Sequence, residues 1–403
     1  MKKTFAYAAL AATLLSGTAF AQEKTIKIGN LSDQSGLYAD ATGPGSTVAA
    51  KLAVEDSGLL AKGWKIEVIA GDHQNKADIG TNITRQWFDV EKVDLIVDTP
   101  NSGVALAVSQ VTKEKNKVFL NSGAATSDLT GKACSPNTIH WTYDTFALAN
   151  GTGKAVVKNG GDSWFFLTAD YAFGHALERD TGAVVEANGG KIVGKVRHPI
   201  NTSDFSSFLL QAQASKAKVI GLANAGGDTT NSIKQAAEFG ITSGGQKLAA
   251  LLLFLTDVHA LGLNVAQGLT FTESFYWDMN DGTRAFSDRF SKQMKTGAKP
   301  TMVQAGVYSA VRHYLKAAEE LGSVADGAKV VAKMKEMPTD DALFGKGSIR
   351  ADGRKLHPVY LFEVKKPSES KGPWDYYKLM GTISVEDAWR PMDKGDCPLV
   401  AKK

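Results

Sequence analysis

Hydrophobic and polar positions follow one repeated order along residues 25–120. Short apolar or alternating runs, typical of strands, are each followed by a stretch with the helical spacing of apolar residues. The predicted strands are 25–29, 64–70, 93–97 and 117–120. The predicted helices are 46–56, 79–90 and 104–112. Because strands that alternate with helices build parallel sheets covered on both faces, we expect an α/β lobe here.

The same order returns in the middle of the chain, after an irregular stretch at residues 134–144. The predicted strands are 164–167, 191–197, 219–222 and 248–254. The predicted helices are 174–187, 205–214 and 232–239. The two halves share only this order of elements, since no residue-level repeat relates them. The pattern therefore predicts two similar lobes in succession.

The remaining chain is expected to return to both lobes. An irregular strand is predicted at 269–277, helices at 283–294, 303–321 and 326–337, and antiparallel strands at 358–364 and 376–383. Asp326 is a candidate cap of the last helix, and Pro338 its stop. The predicted fold is α/β, with two doubly wound parallel-sheet lobes joined by crossing hinge strands. We expect lobe one in residues 22–141 and 278–355, and lobe two in residues 142–277 and 356–403.

The first 21 residues have the pattern of a secretory signal peptide. A basic start at Lys2 and Lys3 precedes an apolar stretch and the small residues Ala19-Phe20-Ala21. Cleavage is expected after Ala21, and the apolar stretch is shorter than the ~20 residues of a membrane-spanning helix. Because Gln22 rather than Cys would become the first residue, we expect an exported, soluble protein without a lipid anchor.

Length and charge narrow the class of protein further. Removing 21 of the 403 residues leaves 382, which is long for one core and suits two lobes. The net charge of +4 falls to +2 without Lys2 and Lys3, too balanced for nucleic-acid binding. The seven His are scattered and no metal motif is present, so no cofactor is expected. We expect a monomer.

Cys134 and Cys397 are the two cysteines of the chain. In an oxidising compartment an even number of cysteines favours a disulfide, which would join the middle of the chain to its last residues. Closing so long a loop restricts the unfolded chain, by about 4–5 kcal/mol in the entropy model. Two separate free thiols are the alternative.

Small polar residues follow several predicted strands, where ligands bind in open parallel sheets. The loops are 32–36, 99–103, 121–126, 169–171 and 224–228. Helix N-termini at such loops offer unpaired backbone N–H groups and a partial positive charge. We therefore expect a ligand carboxylate near Ser102, Ala124 and Thr126, with Asn224 in a facing loop. Taken alone, each loop also fits an ordinary helix cap or tight turn.

Aromatic residues lie beside these loops. Tyr38 follows the first loop, and Tyr171 and Phe173 belong to the fourth. Others lie on the two candidate crossing segments, namely Trp141, Tyr143, Phe275, Tyr276 and Trp277. Aromatic rings offer contact area, and Tyr and Trp add a polar tip, so this lining fits an apolar ligand with a polar end. The alternative is core packing, which we expect for about half of them.

Enzyme motifs are weak in this sequence. Residues 151–154 lack the full phosphate-loop spacing, and Ser215 with Lys218 matches S-x-x-K but precedes a strand instead of opening a helix. A secreted enzyme would need Asp33, Asp170 or Asp257 as acid or base, and no paired nucleophile is visible. We therefore expect a binding protein and not an enzyme.

Four segments and the order of the elements together resemble a known family. The segments are 26–29, 35–40, 121–129 and 170–174. The chain resembles the type I periplasmic substrate-binding proteins of ABC importers, in the leucine/isoleucine/valine-binding branch, over essentially its whole mature length. The resemblance implies capture of a small solute between two lobes that close about a hinge, followed by delivery to an inner-membrane ABC permease. It also implies a periplasmic location.

The resemblance assigns roles to individual positions. Ser102, Ala124 and Thr126 would bind the ligand carboxylate. Tyr38 would cover the ligand from lobe one, and Tyr171 or Phe173 from lobe two. Amino-acid binders of the family use an acidic residue in lobe two for the ammonium group, and Asp257 lies slightly off that place.

The departures from the family pattern bear on the ligand. Phe173 stands where amino-acid binders often have Tyr, and Asp257 is displaced, which puts an α-amino acid in doubt. Residues 133–137 and 274–278 look more like members that bind aromatic carboxylates such as hydroxybenzoates, which brings Tyr276 into the expected site. We expect an aromatic or other apolar carboxylate. A branched-chain amino acid is the alternative ligand, and ligand sensing is the alternative role.

Overall fold

Lobe one is built on a five-stranded parallel sheet. The computed structural model describes residues 24–400, so the predicted signal peptide lies outside the described residues. The strands are β1 Thr25–Ser32, β2 Lys65–Asp72, β3 Leu95–Asp98, β4 Val118–Asn121 and β5 Thr138–His140. They lie in the order β2-β1-β3-β4-β5, and all neighbours are parallel. The connecting helices are α1 Gly43–Asp56, α2 Ala77–Asp89 and α3 Ser102–Glu114.

Lobe two repeats the arrangement with four parallel strands. The chain enters it through the short helices α4 Thr145–Leu148 and α5 Lys154–Lys158. The strands are β6 Ser163–Ala169, β7 Lys191–His198, β8 Val219–Ala223 and β9 Lys247–Ala250. The helices are α6 Ala172–Ala187, α7 Ser206–Ala214, α8 Gly227–Glu238, α9 Leu255–Leu261 and α10 Leu263–Ala266. The order β7-β6-β8-β9 matches the first four strands of lobe one, so the predicted pair of doubly wound lobes is confirmed.

The rest of the chain adds to both lobes. Helices α11 Asp281–Gln293, α12 Met302–Leu321 and α13 Gly327–Glu336 return to lobe one, where α12 packs along α1. The last strands are β10 Thr270–Glu273, β11 Thr339–Asp341, β12 Gly345–Ile349, β13 Lys355–Leu356, β14 Val359–Val364 and β15 Tyr377–Ile383. Strands β10, β14 and β15 form one antiparallel sheet, and β11, β12 and β13 another. Helix α14, Val385–Ala388, begins the carboxyl-terminal tail.

Several local predictions are confirmed and others need correction. The Asp326 carboxylate accepts a hydrogen bond from the Lys329 N–H and caps α13, and the antiparallel strands predicted at 358–364 and 376–383 are β14 and β15. The stretch 134–144 is not wholly irregular, because it contains the edge strand β5. Three residues are too few to show an alternating pattern. The strand predicted at 248–254 ends at Ala250.

Three segments, 141–144, 274–280 and 357–358, pass between the lobes. They meet at the carbonyl of Thr142, which accepts a hydrogen bond of 3.3 Å from the Ser274 hydroxyl and lies 2.7 Å from Nε2 of His357. Arg354 and Asp144 form a buried ion pair of 3.6 Å beside them. The crossing segments are therefore fastened to one another at the hinge.

A disulfide joins Cys134 to Cys397, which confirms the predicted pairing. Cys134 lies between β4 and β5 in lobe one, whereas Cys397 lies in the tail that follows β15. The guanidinium of Arg390, also in the tail, donates a hydrogen bond of 2.8 Å to the carbonyl of Ser127. The tail is thus fixed to lobe one after leaving the small sheet beside lobe two.

The lobes are in contact in this structure. One continuous apolar cluster runs from the α1 and α12 side of lobe one through Tyr38, Tyr143 and Phe173 to Trp164 and Phe166 of lobe two. Strands β3, β4, β6 and β8 are buried along their whole length, because helices cover both faces of each sheet. The arrangement is a closed one, with the carboxyl ends of both sheets turned toward each other.

Candidate functional site

A pocket between the lobes is lined mainly by aromatic and small apolar side chains. Lobe one and the first crossing segment contribute Tyr38, Thr42, Pro100, Gly123, Ala125 and Tyr143. Lobe two contributes Tyr171, Phe173, Ala225, Leu252 and Phe254. Each of them follows the carboxyl end of a parallel strand, where ligands bind in open α/β sheets. We call this the inner pocket.

Tyr38 and Tyr171 close the inner pocket by a direct contact between the lobes. Their hydroxyl oxygens lie 2.6 Å apart, so one phenol donates a hydrogen bond to the other. The pair contains two O–H groups and uses one of them in this bond, which leaves one donor for another acceptor. The contact joins the two lobes through the predicted covering residues.

The loop that carries Tyr38 is held in place by Asp33. One carboxylate oxygen accepts a hydrogen bond of 2.7 Å from the Gly36 N–H, and the other accepts one of 2.9 Å from the Tyr38 N–H. The facing loop of lobe two needs glycine at position 226, where φ is +59° and a methyl group would lie 2.6 Å from the Leu37 carbonyl oxygen. Backbone of the two lobes can approach this closely only because no side chain intervenes.

The inner pocket is narrow in the closed arrangement. Its cavity volume is about 10 Å³, near the minimum that a single water molecule needs. None of the lining residues named above carries a formal charge. Burial raises the pKa of the Tyr38, Tyr143 and Tyr171 phenols above the ordinary value, so all three stay neutral donors and acceptors. A ligand of useful size therefore enters only when the lobes separate.

Ser102, Ala124 and Thr126 lie immediately behind the inner pocket and are fully buried. The Ser102 hydroxyl accepts a hydrogen bond of 3.2 Å from the Thr126 N–H, and the Thr126 hydroxyl accepts one of 3.3 Å from the Asp128 N–H. Each hydroxyl therefore keeps its own hydrogen for a further acceptor. The Ala124 N–H differs, because it already donates to the Asn121 side chain at 3.1 Å. Its neighbours Gly123 and Ala125 line the pocket instead.

A wider groove of about 850 Å³ adjoins the inner pocket on the solvent side. Asp33, Asp40, Lys76 and Asp257 contribute its charged side chains. The Asp257 carboxylate accepts a hydrogen bond of 2.9 Å from the Phe254 N–H and caps α9. Burial raises the pKa of Asp257 to about 7. We call this space the outer groove; Asp257 lies there and not in the inner pocket.

Two other predicted residues lie away from the lining of the inner pocket. The buried Asn224 side chain accepts a hydrogen bond of 2.8 Å from Thr229 and lies 3.2 Å from Nε2 of His198, so it holds the start of α8 behind Ala225. Tyr276 stacks on Tyr377 in the core of lobe two, with 4.6 Å between ring centroids. The structure thus brings Tyr38, Tyr171 and Phe173 together in one wall and leaves Asn224 and Tyr276 in supporting positions.

Sequence reasoning missed two aromatic members of the inner pocket as site residues. The pattern predicts Phe254 in a strand, although it follows β9. It places Tyr143 among the aromatic residues beside the loops, but not among the expected site residues. The Tyr143 hydroxyl donates a hydrogen bond of 2.6 Å to the Gly123 carbonyl, and its ring lies edge-on to Phe254. The one sequence signal was the aromatic run around residue 141.

Within residues 24–400, no three or more His, Cys, Asp or Glu side chains are grouped so that they would hold a metal ion. Over the same range, no helix has the length and apolar character required to span a membrane.

The comparison with protein families decides the classification. The pattern of the family described as periplasmic binding protein matches residues 25–372. The chain belongs to this family. As a type I periplasmic binding protein of ABC importers, it is a transport protein and not an enzyme. Its family places it in the periplasm, where such proteins bind small molecules and work with ABC permeases.

Solved structures of related binding proteins share the fold. A periplasmic binding protein from Burkholderia mallei is 54% identical, with a TM-score of 0.90 over 93% of this chain and 99% of that one. A branched chain amino acid ABC transporter periplasmic ligand-binding protein from Burkholderia xenovorans LB400 is 41% identical. Its TM-score is 0.82, and the match covers 93% of this chain and 99% of that one. A solute binding protein from R. palustris in complex with 4-hydroxybenzoate is 24% identical, with a TM-score of 0.82. The match covers 91% of this chain and 98% of that one, and this likeness concerns the fold alone.

Proposed function

We propose that this binding protein captures a small carboxylic acid with an aromatic or apolar body and delivers it to an inner-membrane ABC permease. The observation that carries the proposal is the inner pocket, where aromatic rings from both lobes meet around hydroxyl donors. Such a lining suits an apolar body with one polar end. The protein is expected to act as a monomer, without nucleic acid, after cleavage behind Ala21.

The carboxylate end of the ligand is assigned to the lobe-one wall. The Ser102 and Thr126 hydroxyls each keep a free O–H hydrogen, and Ser102 is the first residue of α3. A helix N-terminus favours negative charge through its dipole. The Gly103 and Val104 N–H groups of α3 already donate to the Asn101 side chain, so the two hydroxyls supply the hydrogen bonds. Tyr38, Tyr171 and Phe173 would then enclose the body of the ligand.

A branched-chain amino acid is the second candidate ligand. It is favoured by the relative from Burkholderia xenovorans, which is described as belonging to a branched chain amino acid transporter. Against it, the Asp257 carboxylate caps α9 and faces the outer groove, so it offers the inner pocket no direct partner for an ammonium group. We therefore place the aromatic or apolar acid first.

A ligand screen tests the proposal. Thermal unfolding is measured with benzoate, 4-hydroxybenzoate, a hydroxycinnamate, leucine, isoleucine and valine, and hits are confirmed by calorimetry. A true ligand at 100 times its Kd adds about 2.7 kcal/mol to the free energy of unfolding. We expect stabilisation by an aromatic acid. Stabilisation by leucine alone would establish the second candidate, and no effect from any acid would overturn the proposal.

Two substitutions test the assignment of the carboxylate. Ser102→Ala and Thr126→Ala each remove one O–H donor to an anion, so each should weaken acid binding by about tenfold. Ser243→Ala and Thr242→Ala make the same chemical changes at exposed positions of lobe two and should leave the affinity unchanged. Unchanged affinity in both site variants would remove Ser102 and Thr126 from the site.

A further inference from the structure

A buried carboxyl without a partner lies at the end of β3, beside the inner pocket. Asp98 is 0% exposed, and neither of its carboxyl oxygens accepts a hydrogen bond of normal geometry among residues 24–400. The Ser46 hydroxyl, which also lacks a bonded partner in that range, lies near enough to lower the pKa of Asp98. Buried polar groups are nearly always paired, because an unpaired one loses its interactions with water and gains none in return. Asp98 therefore needs an explanation that the fold alone does not supply.

Asp98 packs directly against the wall of the inner pocket. A methyl group on Gly123 would lie 2.5 Å from Oδ1 of Asp98 and 2.8 Å from Cα of Pro100. Gly123 and Pro100 both line the inner pocket. Tyr143, a third lining residue, has a pKa raised by burial first and then by Tyr171 and Asp98. The carboxyl thus lies against Gly123 and close enough to Tyr143 to act on its charge, and the missing side chain at position 123 leaves room for it.

The backbone that presents this carboxyl is strained. Asp98 has φ of +75° and the next residue, Thr99, has φ of +59°. A β-branched residue such as Thr rarely adopts this conformation, and such strain is commonly found where a functional group must be placed. The Thr99 hydroxyl donates a hydrogen bond of 2.9 Å to the Leu31 carbonyl, which helps to hold the turn.

The other acidic residues around the cleft already have partners. Asp228 accepts hydrogen bonds from the N–H groups of Asn201 and Thr202 at 3.0 and 2.8 Å. Asp257 accepts one from the Phe254 N–H and caps a helix. Both carboxylates therefore have structural tasks, whereas Asp98 has no such bond in the described part of the chain and only the Ser46 hydroxyl near it.

We propose that Asp98 is a specificity-determining residue that accepts a hydrogen bond from a donor group, hydroxyl or ammonium, on the bound ligand. This inference rests on the proposed function and narrows the ligand to an acid that also carries such a donor. An acid without a donor would leave Asp98 unpaired and bring a second negative charge close to it. A hydroxyl donor on the ligand removes the first penalty when the lobes close around it, and an ammonium donor also offsets the second.

The experiment compares ligand pairs that differ only in the donor. Affinities are measured by calorimetry for 4-hydroxybenzoate against benzoate, and for leucine against 4-methylpentanoate. The first pair reports a hydroxyl donor and the second an ammonium donor. We expect the wild type to prefer the donor-bearing member of one pair by about tenfold or more. Asp98→Asn should reduce that preference to about threefold or less and change the affinity for the other member little.

The variants are chosen to separate recognition from folding. Asn tolerates the left-handed backbone that Asp98 adopts, so Asp98→Asn should keep the turn. Asp228→Asn removes a charge from the same cleft at a residue that already has partners, and it should leave the preference intact. The wild-type preference is measured without any variant, so it remains informative if Asp98→Asn does not fold.

The outcomes distinguish this inference from the function on which it rests. If the wild type binds acids without preferring a donor, or if Asp98→Asn keeps the preference, the role of Asp98 is overturned while the proposed function stands. Equal loss of preference in Asp228→Asn would show a general effect of charge and would also overturn it. If no acid binds the wild type, both proposals fall.

Discussion

At the scale of single residues, the two phenols that meet across the cleft do most to define the site. The Tyr38 and Tyr171 hydroxyls are 2.6 Å apart and come from different lobes, so their bond exists only in the closed arrangement. A typical hydrogen bond contributes a net ~0.5–1.5 kcal/mol. That is enough to shift an equilibrium between open and closed lobes by about twofold to tenfold.

Tyr171→Phe removes this bond and keeps the ring. Because the closed state loses a contact that the open state does not have, ligand affinity should fall by about twofold to tenfold while thermal stability changes little. Calorimetric titration with the ligand found in the screen measures the change. Tyr276→Phe is the matched control, since its hydroxyl donates to the Trp374 carbonyl within lobe two and should affect stability instead. The reverse pattern would contradict a role in closure.

The pH dependence of stability provides a separate test of Asp98. Burial raises its pKa to about 7, with the Ser46 hydroxyl lowering it and the Asp33 charge raising it. The folded state therefore holds this proton more tightly than the unfolded chain, whose Asp titrates near 3.9. Stability from this group is fully present below about pH 4 and is lost as the pH rises toward 7.

Asp98→Asn does not titrate, so the difference in free energy of unfolding between wild type and variant isolates this group. The wild type should gain stability relative to Asp98→Asn when the pH falls from 8 to 5. Denaturant unfolding at the two pH values measures the difference. A difference that stays constant with pH would show that the Asp98 carboxyl is not perturbed.

At the scale of elements, the carboxyl-terminal tail is a fourth connection between the lobes. The chain leaves the small sheet at β15, and the disulfide between Cys134 and Cys397 then fixes it to lobe one. The Trp389 indole N–H donates a hydrogen bond of 2.8 Å to the His357 carbonyl at a crossing segment. The tail therefore contacts a crossing segment of the hinge, and its disulfide closes the long loop between Cys134 and Cys397.

Replacing both cysteines by serine should lower the free energy of unfolding by roughly 2–5 kcal/mol, because the unfolded chain regains the freedom that the disulfide removes. Denaturant unfolding of the wild type and of Cys134→Ser with Cys397→Ser measures this loss. The reduced wild type serves as the matched comparison and should behave like the double variant. Equal stability with and without the disulfide would contradict a stabilising role for the tail.

At the scale of the whole molecule, the proposed function makes closure of the lobes the functional motion. The inner pocket is too narrow to admit a ligand while the lobes touch, and the crossing segments are fastened together at Thr142. Opening therefore has to be a rotation of one lobe relative to the other about those segments. A ligand stabilises the closed state only if it binds that state better than the open one.

Solution scattering should show this change directly. We expect the radius of gyration to fall when the ligand identified in the screen is added, because the open and closed arrangements exchange and the ligand favours the compact one. Tyr171→Phe without ligand should be at least as extended as the wild type. A radius that does not respond to a bound ligand would contradict the closing mechanism.

The sequence by itself determined the fold class, the repeated order of elements and the pairing of the cysteines. These follow from local periodicity, from turn residues and from an even cysteine count in an exported chain, none of which depends on long-range geometry. It also predicted Tyr38, Tyr171 and Phe173 as site residues from their strand-end loops, and the structure brings these three side chains into one wall.

Only the tertiary structure decided which nearby residues face the pocket and which support it. Asn224 and Tyr276 carry the same residue types that a site would need, yet His198 and Trp374, from distant segments, lie against their polar groups. Asp98 is the reverse case, a residue that the sequence did not predict for the site. Nothing in its local sequence distinguishes it from any other acidic residue at the end of a strand. Its proposed role arises because Gly123, in the loop after β4, leaves room for the Asp98 carboxyl beside the cleft. Hydrogen-bond partners from distant segments are decided by tertiary packing, which no single stretch of sequence determines.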